Sequence, residues 1–302
     1  MPEKVDENRI LSKGKMKMSE IDPMKNEEVK RIVREGYAKV AQQDSSCCGP
    51  DSSCCGGPAL AEDIGKKIGY SDEDMQGVPE GANLGLGCGN PVALATIEEG
   101  ETIVDLGSGA GFDAFLAAQR VGESGKVIGV DMTPEMLGKA RANAAKAGYS
   151  NVEFRLGEIE HLPVADDSVD AIISNCVINL APDKRSVFQD AYRVLKAGGR
   201  IMVSDLVLER ELTQAVRESA AALVACIAGA VSTEQYLGAI RDAGFESIEV
   251  VEKKDFPMDL ASCNPTSRSI VDTLEMPPGE VEEAASSVRS ISVCAYKPKQ
   301  GR

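Results

Sequence analysis

The sequence contains a single histidine, His161, and no tryptophan, and six Tyr and six Phe bring aromatics to only 4% of 302 residues. With one imidazole, a mechanism built on a histidine base, a His–Asp pair or a histidine-rich metal site has almost no material to work with. So few aromatics leave no stacking platform for single-stranded nucleic acid. Basic residues are outnumbered 33 to 48, a net charge of -15. That balance argues against a phosphate-binding surface, which needs clustered Lys and Arg, and against an anionic membrane surface. No apolar run reaches the roughly 20 residues that cross a bilayer. The longest, Ala220 to Val231, is rich in Ala and Gly and suits a packed helix. The first residues carry Glu, Lys and Asp with no apolar core, so no signal peptide is expected and a cytoplasmic location is.

What is present is an ordinary apolar share, 43%, and nine cysteines, at 47, 48, 54, 55, 88, 176, 226, 263 and 294. In a reducing compartment these read as ligands, redox groups or inert core. The chain divides into an arm, residues 1–75, and a regular domain, residues 76–302. In the arm, Val29, Ile32, Val33, Tyr37 and Val40 recur at helical spacing, which predicts a helix from about Asn26 to Gln43. Two copies of Asp-Ser-Ser-Cys-Cys-Gly follow, beginning at Asp44 and Asp51, and their Gly, Pro and Ser predict a loop. A weaker helix is expected from about Ala59 to Ile68.

The domain alternates strand and helix. Strands are expected at Thr102, Lys126, Val152 and Val169, and a fifth over Arg200 to Asp205. Helices are expected from Phe112 to Val121, from Thr133-Pro134, where Thr133 can cap, and from Asp183 to Leu195, stopped by Ala197-Gly198-Gly199. Lys184 and Arg185 read as a solvated helix start, and His161 as a surface or satisfied histidine. Two last strands, Ser247 to Lys253 and Ser290 to Tyr296, lack a crossover helix between them and are expected to pair antiparallel. The whole predicts an α/β fold with a mostly parallel, seven-stranded sheet and helices on both faces.

The first strand runs into Asp105-Leu-Gly107-Ser-Gly109-Ala-Gly111. Glycines in such a turn let a ligand approach the main chain, at the sheet edge where these folds bind ligands. Asp131 closes the second strand, where a carboxylate can accept from both hydroxyls of a ribose. The Gly-x-Gly-x-Gly spacing, with Asp105 two residues ahead, resembles motif I of the Rossmann-like class I methyltransferases. That resemblance implies S-adenosylmethionine, held by Asp105, Gly107, Gly109, Gly111, Asp131 and Met132. It also implies an acidic residue taking the adenine amino group, here Glu158 with Ile159 packing on the ring, and Asn175 beside the methyl-transfer site.

A narrower resemblance rests on Gly85-Leu-Gly-Cys88-Gly-Asn-Pro, Asp131-Met-Thr, Ser174-Asn-Cys176-Val-Ile-Asn-Leu, Pro182-Asp-Lys and Cys226-Ile-Ala-Gly-Ala. In order and spacing, from about Gly77 to Ala230, these are similar to the arsenite S-adenosylmethionine methyltransferases. The family implies that Cys88, Cys176 and Cys226 hold trivalent arsenic, delivered as arsenite or a thiol-conjugated form. It also implies a thiol reductant, thioredoxin or glutathione. The chemistry agrees with the implication. Trivalent arsenic is soft and prefers thiolate sulfur, and three thiolates leave its lone pair on the open side as the nucleophile. That nucleophile has no proton to lose, so no general base is needed. Cys88 lies in a Gly-rich loop before Asn90-Pro91, a helix start that favours thiolate. Cys226 is expected within a small-residue helix and Cys294 in the core.

For Cys47, Cys48, Cys54 and Cys55 three readings stay open: an accessory thiol arm that passes on arsenite or recycles a disulfide, a metal site, or a passive linker. Two rival functions also stand. One is methylation of a carbon or oxygen on a small quinone-type metabolite. The other is sequestration of soft metalloids by the Cys-Cys arm.

Overall fold

The computed structural model describes residues 23–42, 58–87, 96–219, 222, 226–255 and 286–299. Eight strands form one sheet: β1 (Thr102–Leu106), β2 (Lys126–Asp131), β3 (Val152–Leu156), β4 (Val169–Asn175), β5 (Leu195–Leu208), β6 (Val231–Ser232), β7 (Glu246–Asp255) and β8 (Val288–Tyr296). Their order is β3-β2-β1-β4-β5-β8-β7, with the two-residue β6 beside β5 off this path. The first five pair in parallel, whereas β8 runs antiparallel between β5 and β7. This is the expected seven-stranded sheet with one short addition.

Helices α1 (Pro23–Gln42), α2 (Pro58–Lys67), α3 (Asp72–Gln76), α4 (Phe112–Val121), α5 (Pro134–Ala147), α6 (Lys184–Val194), α7 (Gln214–Arg217) and α8 (Thr233–Asp242) complete the described elements, with a short 3-10 turn at Ile178–Leu180. The central strands are apolar on both faces, as strands covered twice must be. Neighbouring residues point to opposite sides. Val104 and Ile172 pack toward Val187, Phe188 and Ala191 of α6 and Tyr236 and Ile240 of α8. Ile103, Ala171 and Ile173 pack toward Ala114, Phe115 and Ala118 of α4 and Leu137 and Ala140 of α5. Full burial of each large side chain contributes about 1.5–3 kcal/mol.

From β1 the chain winds outward through β2 to β3, then crosses back to β4 on the other side of β1. The reversal opens a crevice at the carboxyl ends of β1 and β4, the place where such sheets take ligands. Gly107 follows β1 and Cys176 follows β4, so the topology alone brings the glycine turn and one cysteine to the same edge.

Three local expectations change. α6 stops at Leu195, before the glycines, because Leu195 turns extended and pairs with Val169. Gly198-Gly199 then lies inside β5, where the register with β4 shifts between Val169 and Ala171. Thr133 caps α5 by position, yet its side chain makes no capping bond. Its backbone N–H is instead held by Asp131 Oδ1 at 2.8 Å. Helix α8 carries its own start signal, a reciprocal capping box between Ser232 and Gln235.

At the amino edge of the sheet, Arg200 on β5 grips Glu101 through two bonds of 2.6 and 2.8 Å, both side chains 14% exposed. Burial alone would raise the Glu101 carboxyl, but the Arg200 bonds and a backbone N–H hold it below its usual range. Removing one partner strands a buried charge. Arg200→Met should therefore lower stability by roughly 3 kcal/mol, read as a shift of the urea midpoint at unchanged slope.

Candidate active site

The crevice is a cleft of about 1150 Å³ counted out to its open mouth, lined from β1, β2, β4 and α1. Its floor is the turn after β1. Gly107 and Gly109 sit at φ +64° and +52°, in the left-handed region that favours glycine. A Cβ on Gly107 would strike Val177, whereas one on Gly109 would meet nothing and would project into open space. Asp131 is fixed by its neighbours: Oδ2 accepts from Gly109 N–H at 2.9 Å and Oδ1 from Thr133 N–H at 2.8 Å. Burial raises the Asp131 carboxyl above its usual range, against the pull of those two N–H groups. Asp105 is also buried and pushed well up, by burial first and by Asp113 and Asp131 next.

Asp105 Oδ2 and Ser108 Oγ are buried with no hydrogen-bond partner among the described residues, and both residues line the cleft. Orphaned polar atoms of this kind are costly unless a ligand satisfies them. With the open face of Gly109 and the anchored Asp131, they fit the nucleoside and amino-acid ends of S-adenosylmethionine.

Met132, Ile159 and Asn175 also line the cleft. Asn175 Nδ2 donates to Tyr70 and Asp113 at 3.0 Å each, and Tyr70 donates to Asp113 at 2.6 Å. Tyr70 and Asp113 were not singled out in the sequence, since neither stands in a motif. Two expected residues face elsewhere. Gly111 is outside the lining: a Cβ there would come within 2.7 Å of Phe115 and 2.8 Å of Phe154, so it is a packing glycine. Glu158 is drawn away by Lys30 of α1 at 2.6 Å, with Arg34 at 3.7 Å. Glu160, buried and raised by burial, lines the cleft in its stead.

The thiol side begins where β4 ends. Cys176 and Cys226 are both buried and both hold positive φ, +60° and +63°. For residues other than glycine this is uncommon and marks strain at functional sites. Cys226 Sγ donates to the Cys176 carbonyl at 2.7 Å. It sits in a turn, not in the expected helix, and three residues on, Gly229 packs so tightly on the Asn179 carbonyl that a Cβ would overlap it. Asn179 is locked in turn by Asp205, which accepts from its N–H at 3.2 Å and its Nδ2 at 2.8 Å, while Tyr236 reaches the same carboxylate at 3.3 Å.

Burial raises the Asp205 carboxyl to about 6, with Leu206, Lys184 and Asn179 opposing it. Lys184 corrects another expectation. It is half-buried, and burial lowers its amine against the attraction of Asp205 and Cys226. Arg185 remains exposed, paired with Asp242. Cys294 is core, on β8. Cys88, the paired cysteines 47, 48, 54 and 55, and Cys263 lie outside the described residues.

Two measurements follow. Gly111→Ala should cost about 2 kcal/mol or more in stability, since strain and overlap add. Gly109→Ala should cost only about 1 kcal/mol, yet block cofactor binding in calorimetric titration. For Asp205, the folded state holds its proton more tightly than the unfolded chain. Its contribution is therefore fully present below about pH 4 and lost as pH rises through about 6. The carboxyl carbon should titrate near 6 by NMR, and a midpoint below 4.5 would contradict the burial described.

Residues 97–244 match a methyltransferase-domain family model. Over 235 residues the chain is 50% identical to an arsenite methyltransferase of Halobacterium salinarum, covering 76% of this chain and 60% of that one. With the human arsenite methyltransferase it shares 39% over 183 residues, covering 57% and 48%. The chain thus spans about half to three-fifths of the length of these curated relatives. A crystal structure of an arsenic(III) S-adenosylmethionine methyltransferase from Chlamydomonas reinhardtii superposes with a TM-score of 0.55 at 33% identity, covering 78% of this chain and 73% of that one. At that identity and coverage the chain belongs to the arsenic(III) S-adenosylmethionine methyltransferase family.

Proposed function

We propose that the protein methylates trivalent arsenic, taking arsenite or its thiol conjugates as substrate. The observation that carries this reading is the approach of two buried thiol residues, Cys226 Sγ lying 2.7 Å from the carbonyl of Cys176, which lines the cofactor cleft. Cys176 and Cys226 supply two of the sulfur ligands, and Cys88 is assigned the third by the family pattern. Each cysteine S–H bond breaks as an S–As bond forms, and the displaced arsenic hydroxyl leaves with the proton as water. Thiolate coordination leaves the arsenic lone pair free to act as nucleophile.

Asp105, Gly107, Gly109, Asp131, Met132, Ile159 and Asn175 hold S-adenosylmethionine, which supplies a methyl group on a positively charged sulfur and leaves as S-adenosylhomocysteine. The anchored Asp131 carboxylate offers its remaining lone pairs to the ribose. Asn175, fixed on Tyr70 and Asp113, sits one residue from Cys176 and spaces the two halves of the site. Glu160 stands at the adenine end, paired with Lys30, which also holds Glu158. Gly111 supports the turn from behind. Holding both reactants in line is the main catalytic contribution, worth up to about 7–11 kcal/mol in ideal cases.

Methylation raises arsenic formally from three to five. Two electrons return when a dithiol of the thioredoxin class, or a pair of glutathione thiols, is oxidised to a disulfide. The tandem cysteines 47, 48, 54 and 55 are assigned to this accessory traffic. Such a cycle belongs in the cytoplasm, where thiols stay reduced. No helix among the described residues is long and apolar enough to cross a membrane. In this reading residues 1–75 are an N-terminal arm and residues 76–302 the methyltransferase domain.

The test combines purified protein, methyl-labelled S-adenosylmethionine, arsenite and a thiol, with speciation of the arsenic. Labelled methylarsenicals are expected. Cys176→Ser and Cys226→Ser should each lower turnover about 100-fold or more while S-adenosylmethionine still binds. Label on a carbon or oxygen acceptor with the serine variants fully active, or arsenite uptake without S-adenosylhomocysteine, would replace this reading.

A further inference from the structure

Helix α1 spans both halves of the cleft. Lys30, Val33 and Tyr37 line it from one helix face, spaced three and seven residues apart, so Lys30 and Tyr37 lie roughly 10 Å from each other along the axis. Lys30 is tied at the adenine end, to Glu158 at 2.6 Å and Glu160 at 3.5 Å. Tyr37 reaches the thiol end, its hydroxyl 4.0 Å from Cys226 Sγ.

The resting contact of Cys226 is incompatible with its proposed task. As a thiol it donates to the Cys176 carbonyl. Once the proton is gone, sulfur and carbonyl oxygen are both electron-rich and repel at that distance. The sulfur must turn away, and a donor is needed on its new side. We infer that Tyr37 is a positioning residue for the thiol site, its phenol donating to the Cys226 sulfur and holding it toward the cleft as arsenic is taken up. This rests on the arsenic reading above. The phenol O–H stays intact throughout, while the Cys226 proton departs in water with the arsenic hydroxyl.

The surroundings suit a donor that never ionises. Burial, followed by Cys226 and Cys176, pushes the Tyr37 phenol well above its usual value, with Asp131 adding to the effect. From α6, Lys184 is the charged group that faces Cys226. Cys176 after β4 and Asp131 at the end of β2 are the titratable groups facing Tyr37 from the sheet. A hydrogen bond to sulfur favours thiolate.

The experiment uses the full chain with Tyr37→Phe, which keeps the ring packed beside Val33. Iodoacetamide labelling of the Cys226 peptide is followed against pH, arsenite binding by the thiolate–arsenic absorbance, and S-adenosylmethionine binding by calorimetry. The labelling midpoint should rise by about half a pH unit or more, and arsenite affinity should fall about fivefold, the effect of one modest hydrogen bond. S-adenosylmethionine affinity should stay within about twofold. An unchanged midpoint and affinity would overturn the inference, as would parallel loss of thermal stability and of both ligands, which marks plain packing. If Tyr37→Phe does not fold, 3-fluorotyrosine at position 37, a stronger donor of nearly the same shape, should lower the midpoint; no change there counts against the inference. Failure of the unaltered protein to bind arsenite defeats the functional reading alone, because the labelling profile still decides what Tyr37 does to Cys226.

Discussion

The backbone of Cys176 joins the two halves of the site. Its N–H is paid out to the Ser204 carbonyl on β5 at 2.8 Å, which carries the ladder one residue past β4. Its left-handed φ then turns the chain sharply away from the sheet. That turn leaves Asn175 facing the cofactor side and sends Val177 over Gly107. The Cys176 carbonyl is thereby free to receive Cys226.

What keeps this geometry is a buried polar lock. Asp205 is 1% exposed and accepts from Asn179, Leu206 and Tyr236, joining β5, the 3-10 turn and α8. Gly229 presses on the opposite side of Asn179. Cys226 lies three residues before that contact, so its place over Cys176 is set by a carboxylate remote in sequence. Burying such a group without partners would cost several kcal/mol; with four donors from three residues it becomes a rigid joint. The same low-dielectric setting explains why its proton is held more tightly than in water.

Above the cleft, α1 packs Val33 into the apolar cluster that contains Cys176 and Cys226. Apolar contact therefore surrounds the thiols on several sides. Water exclusion strengthens every charge interaction inside. The Asp105 carboxyl beneath the cleft, raised by burial and by its neighbours Asp113 and Asp131, stands in an environment that a cationic sulfonium would relieve.

Much of this was legible from residue order. Strands β2, β3 and β4 and helix α4 fall where apolar runs and periodicity put them, because their signals are local. The glycine turn and Asp131 were readable for the same reason: a strand, a tight turn and a carboxylate at fixed spacing need no distant partner. Other assignments depended on packing. Glu158 and Glu160 are the same residue type two positions apart, and only the folded chain shows that Glu160 lines the cleft while Glu158 pairs with Lys30 and Arg34 of α1 outside the lining. Gly111 looks like its neighbours in sequence, yet two phenylalanine rings claim its space. The 50-residue gap between Cys176 and Cys226 carries no local trace of their meeting. The sequence by itself determined the sheet, the turn and the supply of thiols, because these follow from short-range periodicity and residue chemistry. Which side chains face the reacting atoms was decided only by the tertiary structure, since that choice depends on contacts closed across the sheet and under α1.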